Sequence, residues 1–263
     1  MSRYFLEVAY KGTNYSGFQI QQNAPTIQFE IEKAISIIIN SGNDYFIEGD
    51  MENEKAGIKL TGSSRTDSGV HALQNFFHFD FHESLHPQLL YKLNAVLPLD
   101  IVIKSIREVP ESSHCRFDAI SRSYSYYIYT FKDPFLIDKA YHFPYTMNYN
   151  LLEEAAAIIK YQTDFSFFSK TNSQVKNFNC RIFESFWQQR ENQLVYNIKG
   201  NRFLRGMVRL LTGTMLQIGR GKISIDDLNK YFTANNDQNA MYAVPAKGLF
   251  LTAVEFPENY FSI

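Results

Sequence analysis

Two hydrophobic periods alternate along this chain in one order, and the order occurs twice. That repetition limits the architectures open to it. Tyr4–Tyr10 reads as a strand ended by Gly12. Pro25-Thr26 opens a helix with Ile27, Ile31, Ala34, Ile35 and Ile38 on one face, ended by Asn40-Ser41-Gly42. A polar loop follows with Asp50, Glu52 and Glu54, then a short strand, Ile58-Lys59-Leu60. After a turn-rich segment, Phe77, Phe79 and Phe81 alternate with His78, Asp80 and His82, which predicts a strand over 74–82. Pro87 begins a short helix carrying Leu89, Leu90, Leu93 and Val96, closed by Pro98 before a strand at Ile101–Val109. The order is βαββαβ.

The second half repeats it. Residues 122–131 alternate as a strand and 150–161 form a helix. Cys180–Arg190 and Gln193–Lys199 are strands joined at Glu191-Asn192. Helices are predicted over Phe203–Ile218 and Ser224–Phe232, and a last strand over Leu249–Phe256. The chain is therefore read as α+β: two ferredoxin-like βαββαβ halves, 1–110 and 111–263, with mostly antiparallel sheets flanked by helices. The same topology builds the RNA-recognition module, whose sheet stacks bases on aromatic side chains. Aromatics are plentiful, with 23 Phe and 17 Tyr in 263 residues.

Twenty-six basic residues against 27 acidic ones leave a formal charge of −1, which excludes binding by bulk positive charge but not a local basic groove. Cys115 and Cys180 stand apart with no CxxC, so neither a disulfide framework nor a Cys-rich zinc site is expected. Met1-Ser2-Arg3-Tyr4-Phe5 lacks a leader's apolar run, and no apolar stretch approaches the ~20 residues of a membrane span. A cytoplasmic setting without membrane attachment is expected.

His78, His82 and His86 are spaced like metal ligands, but four residues along a strand cover ~13 Å, too far to share one ion. The patterns of phosphate loops, zinc deaminases and nucleophile elbows are absent. In Gly62–Ala72, Asp67-Ser68-Gly69 is ordinary turn chemistry. Arg65, two residues from Asp67, can instead keep a carboxylate ionised for nucleophilic work. Arg202, Arg205 and Arg209, at i, i+3 and i+7, share one face of the predicted helix, with Met207, Val208, Leu210 and Leu211 turned to the core. That face is either solvated or a stripe of phosphate contacts. Tyr124 and Tyr126 alternate onto one strand face, for packing or for stacking on a base.

Taken together, these segments resemble the TruA family of tRNA pseudouridine synthases. Tyr10-Lys11-Gly12-Thr13-Asn14-Tyr15-Ser16-Gly17-Phe18-Gln19 is similar to the family's opening motif. Arg65-Thr66-Asp67-Ser68-Gly69-Val70-His71-Ala72 resembles its Arg-Thr-Asp-x-Gly-Val-His motif, and Arg116-Phe117-Asp118-Ala119 with Arg122-x-Tyr124-x-Tyr126 its third. Phe203–Arg209 and Ala246-Lys247-Gly248-Leu249-x-Leu251 resemble the last two. Phe18 replaces a commoner Trp, and Ser64 the Gly usual before the Arg.

The resemblance implies a pseudouridine synthase fold and conversion of uridine to pseudouridine at positions 38 to 40 of the tRNA anticodon arm. It implies Asp67 as nucleophile, Arg65 as its neighbour, Tyr124 as the base-stacking residue, Arg209 as the carboxylate's salt-bridge partner and Leu249 as a pocket wall. It also implies a homodimer bridged by tRNA, and no metal or organic cofactor. Arg202 and Arg205 are placed to hold phosphates. Isomerisation adds and removes nothing, so one carboxylate suffices, acting at C1′ as in glycosidases or adding to C6 of the ring. Two other readings compete: a non-catalytic RNA-binding protein of tandem RNA-recognition-like domains, and a glycosidase that releases free uracil.

Overall fold

Strand β1 (Ser2–Tyr10) turns Tyr4, Leu6, Val8 and Tyr10 inward, and the period-two rule accounts for that buried row. The computed structural model describes residues 1–40, 58–82, 84–170, 177–233, 240 and 242–261. The Ser41-Gly42 stop and the acids Asp50, Glu52 and Glu54 lie outside the described residues. Contacts divide the chain into two units, 1–120 with 253–263, and 121–252.

In the first unit β1 lies between β3 (His71–Phe81) and β4 (Ile101–Val109), antiparallel to both. Helix α1 (Ile27–Asn40) buries the predicted Ile27, Ile31, Ala34, Ile35 and Ile38, and α2 (Leu89–Val96) buries Leu89 and Leu93. The short strand departs from expectation. Ile58-Lys59-Leu60 is not a strand; β2 is Thr61–Gly62, paired with His78 and Phe77. The reason is local: Leu60 N–H donates to Glu32 Oε1 at 2.8 Å, and Gln28 Nε2 donates to Leu60 C=O at 3.0 Å. Side chains of α1 have taken the backbone groups that a ladder would need.

Residues 111–120, assigned by the sequence reading to the second half, are held in the first unit. Arg3 Nη1 donates to Ser113 O at 2.8 Å, Cys115 N–H to His78 Nδ1 at 3.3 Å, and Ile120 N–H to Glu255 O at 2.8 Å.

In the second unit β5 (Ser121–Tyr129) pairs antiparallel with β8 (Gln193–Gly200), and β8 with β7 (Ile182–Arg190). Strand β9 (Leu249–Glu255) lies beside β5 and carries its last residues, 253–255, into the first unit. A two-residue strand unforeseen by the periodicity, β6 (Tyr141–His142), runs parallel to the end of β5. Helix α3 (Tyr149–Lys160) is capped by Asn148 and buries Leu152, Ala155, Ala156 and Ile159. Helices α4 (Met207–Gly219) and α5 (Ile225–Thr233) complete the unit. The repeated βαββαβ order is therefore present, in an α+β fold with mostly antiparallel strands, α5 being additional. Among the described residues no helix is long and apolar enough to cross a membrane.

Candidate active site

Asp67 sits on the loop between β2 and β3, and that loop is clamped by the segment after β1. Val70 N–H closes a turn onto Asp67 C=O at 3.1 Å. Phe18 N–H donates to Thr66 C=O at 3.1 Å, Gly69 N–H to Tyr15 C=O at 3.2 Å, and Ser68 Oγ to the same carbonyl at 3.2 Å. The approach is so close that only glycine fits on the clamping side. A Cβ at Gly12 would lie 2.0 Å from Val70 O, and one at Gly17, where φ is +101°, 2.9 Å from Thr66 O. Gly12 N–H also donates to Nδ1 of the buried His71 at 3.1 Å. Tyr15 Oη donates to Asp100 Oδ1 at 2.6 Å, and burial, followed by that carboxylate, raises the phenol far above its usual range.

Burial alternates along the loop. Ser64 and Thr66 are buried, Arg65 is exposed and Asp67 is half-buried. Arg65 and Asp67 are thus the least buried residues of the 63–67 run. Ser64 lies outside the left-handed region, so replacing glycine there costs no backbone strain.

The second unit carries the other expected site residues. Tyr124 is half-buried on β5 and packs edge-on against Phe203, with ring centroids 5.1 Å apart. Tyr126 is fully buried and donates to Pro245 O at 2.7 Å, so it is a packing residue. Arg209, in the first turn of α4, donates from Nε to Val244 O at 2.8 Å, and its charge acts on the Tyr126 hydroxyl. Leu249 is buried where β9 starts. Tyr124, Arg209 and Leu249 therefore come from a strand, a helix start and a strand start in one unit.

The arginine stripe is corrected. Helix α4 starts at Met207, not Phe203, because Gly206 takes a left-handed conformation, φ +73°, that interrupts helical winding. Arg202 and Arg205 lie in the preceding loop, and only Arg209 is helical. Arg205 is exposed, and its C=O accepts from Lys170 N–H at 3.1 Å. Met207, Val208, Leu210 and Leu211 are buried as expected.

Of the spaced histidines, His78 is buried on β3 and His82 exposed beyond it. Instead, His78, His114 and Cys115 offer three nitrogen and sulfur atoms within 4.8 Å of one another. Both rings have their Nδ1 engaged by backbone: His78 accepts from Cys115 N–H, and His114 from Arg116 N–H at 3.1 Å and Phe117 N–H at 3.4 Å. A neutral ring accepting at Nδ1 carries its proton on Nε2, leaving neither nitrogen ready for a metal. A cavity of about 400 Å³ in the first unit, lined by Glu7, Gln74, Phe76, Arg107 and Tyr260 among others, contains none of the residues singled out from the sequence.

Sequence reasoning missed Asn75. It is wholly buried beside the Asp67 loop, donating from Nδ2 to Ser64 O at 3.0 Å and to Tyr10 Oη at 3.3 Å. Tyr10 Oη is 2.7 Å from Thr66 Oγ1, and burial raises its pKa to about 12. An asparagine in a strand of aromatics carries no periodic signal; the only hint was its low strand propensity.

The profile of a family described as tRNA pseudouridine synthase matches residues 7–118 and 157–257. The chain is 39% identical over 262 residues to a protein named tRNA pseudouridine synthase A from Azobacteroides pseudotrichonymphae, covering 99% of each chain. It is 37% identical over 265 residues to the protein of that name from Parabacteroides distasonis, covering 100% of this chain and 99% of the relative. A Staphylococcus aureus protein of the same name is 31% identical over 260 residues, covering 98% of this chain and 92% of the relative.

Proposed function

The chain belongs to the tRNA pseudouridine synthase family, and on that premise we propose that it converts uridine to pseudouridine in the tRNA anticodon arm, at positions 38 to 40, with Asp67 as nucleophile. The observation that carries this reading is the clamped Asp67 loop. Two glycines that cannot accept a Cβ, three hydrogen bonds shared with the 15–18 segment and a closing turn hold the loop that carries the half-buried Asp67, two residues from Arg65. A solvated connecting turn would need none of that restraint.

The reaction breaks the C1′–N1 bond, turns the uracil and forms C1′–C5; the C5 proton leaves and N1 gains one. No electrons enter or leave. The carboxylate serves either by trapping C1′ as the base departs or by adding to C6, and both routes need it ionised and held in place. The target base must leave its stack, which costs a few kcal/mol. Stacking on Tyr124 offsets about 1–3 kcal/mol of that. Leu249 provides an apolar wall, and water exclusion keeps the opened sugar from hydrolysis. Arg65 and Arg209 complete the substrate-binding set, and Arg202 and Arg205 contact phosphates. The enzyme acts in the cytoplasm as a homodimer on the anticodon stem-loop.

Asp67→Asn tests the reading. The variant is expected to bind unmodified tRNA and form no pseudouridine; full activity overturns the assignment. Binding without product by the unaltered protein would favour a plain RNA-binding module, and released uracil a glycosidase.

A further inference from the structure

We propose that Asn75 is a positioning residue for the Asp67 carboxylate, acting through a buried hydrogen-bond chain, Asn75–Tyr10–Thr66, that anchors the loop on which the carboxylate is carried. The proposal rests on the reading of Asp67 as nucleophile.

Asn75 lies inside β3, next to Phe76 and Phe77 and opposite Val8, where an apolar side chain would pack without cost. The β1–β3 register slips at that point: Val8 faces Asn75, but Tyr10 faces Ala72. Both donors and the oxygen of the amide are engaged, three of its four hydrogen-bonding valences. Oδ1 accepts from Phe76 N–H at 2.9 Å, and the two Nδ2 protons go to Ser64 O and Tyr10 Oη. A buried amide is tolerated only when satisfied in this way. Tyr10 Oη then shares a proton with Thr66 Oγ1.

All the anchors end on the residues leading into Asp67. Ser63 N–H donates to Phe76 O at 2.8 Å, Ser64 is held through its carbonyl, and Thr66 through its hydroxyl and its carbonyl. With 64 and 66 held in this way, 65 and 67 are the more accessible residues of the run. An apolar replacement in the chain would leave a partner unsatisfied and let the loop relax. A displacement of about 1 Å at a reacting group costs on the order of 10²-fold in rate.

Tyr10→Phe removes one oxygen, Thr66→Val keeps the shape of the side chain without its hydroxyl, and Thr66→Ser keeps the hydroxyl. Each is compared with Asp67→Asn and with the unaltered protein for single-turnover pseudouridine formation on saturating unmodified tRNA, for tRNA Kd and for thermal midpoint. Tyr10→Phe and Thr66→Val are expected to slow the chemical step by roughly 10-fold or more, with Kd within about twofold, and Thr66→Ser to recover most of the rate. Asn75→Leu should match Tyr10→Phe; if it fails to fold, the hydroxyl variants decide alone. The proposal is overturned if both hydroxyl variants keep the rate while Asp67→Asn is inactive, if Thr66→Ser is as slow as Thr66→Val, or if the loss lies in Kd. Full activity of Asp67→Asn would instead remove the nucleophile reading, and this proposal with it.

Discussion

A methyl group at position 12 would come within 2.0 Å of the Val70 carbonyl oxygen, and backbone cannot yield as a flexible side chain does. Gly12→Ala is therefore expected to destabilise the protein by about 1–3 kcal/mol and to lower activity beyond that loss, since the strain falls on the Asp67 loop. Denaturant unfolding alongside the turnover rate checks both parts; unchanged values of each would refute the clamp. Arg205 is exposed ahead of α4, and the proposed function gives it an RNA phosphate. Arg205→Ala should reduce the slope of log affinity for tRNA against log salt by roughly 0.7–0.9, the contribution of one phosphate contact, whereas an unchanged slope would remove Arg205 from the RNA contacts. At this scale the sequence was legible in where residues sit: Asp67 and Arg65 are on the loop expected between two strands, and Tyr124 is on the expected strand. Their roles come from the family resemblance, since residue type alone also fits a plain turn and a packing tyrosine. The placing of Arg202 and Arg205 on a helix failed because helical spacing was extended through Gly206, whose left-handed backbone stops it. Asn75 was silent, since its meaning lies in contacts made across the fold.

Among the elements, β3 carries most of the burden. It holds Asn75 beside the Asp67 loop and His78 under the 113–118 segment. Burial, with the neighbouring His114 and Arg3 adding to it, lowers the His78 pKa to about 4. The unfolded chain, with an ordinary histidine, binds that proton at a higher pH. Stability supplied by neutral His78 is thus fully present above about pH 6.5 and is lost as pH falls toward 4, by up to about 3 kcal/mol at pH 4. Asp80, held low chiefly by its hydrogen bond from Arg3, loses stability in the same direction at lower pH. His78→Gln should flatten the fall in stability between pH 6.5 and 4, measured by denaturant titration across that range; an unchanged slope would show that His78 is not its source. Long periodic elements were readable: β4 matches its expected span residue for residue, and α1, α2 and α3 match to within two residues at the ends that are described. The failures were short. Residues 58–60 lost their ladder to Gln28 and Glu32, and β6, with two residues, is below what any period can register.

For the molecule as a whole, the chain closes by sending its last described residues back to the first unit. Phe256, Tyr260 and Phe261 surround Phe5 at ring-centroid distances of 5.7, 6.1 and 6.0 Å, and Tyr260 Oη donates to Asp118. Phe256→Ala should cost about 1–3 kcal/mol, read as a lowered unfolding midpoint, and an unmoved midpoint would mean that the return contributes nothing. No local pattern foretells this, because periodicity places a strand at 249–256 without saying which partners the residues beyond it will find. The near-zero net charge is also a property of the whole. Part of the acid is used locally, as where Asp227 accepts from Ser224 and Lys230 at the start of α5, so the sum says little about the loop that bears Arg202 and Arg205. The most direct measurement of the central claim is to map pseudouridine in unmodified tRNA after incubation with the unaltered protein and with Asp67→Asn. Pseudouridine at positions 38 to 40 with the first and none with the second is the expected result; equal amounts with both would contradict the account.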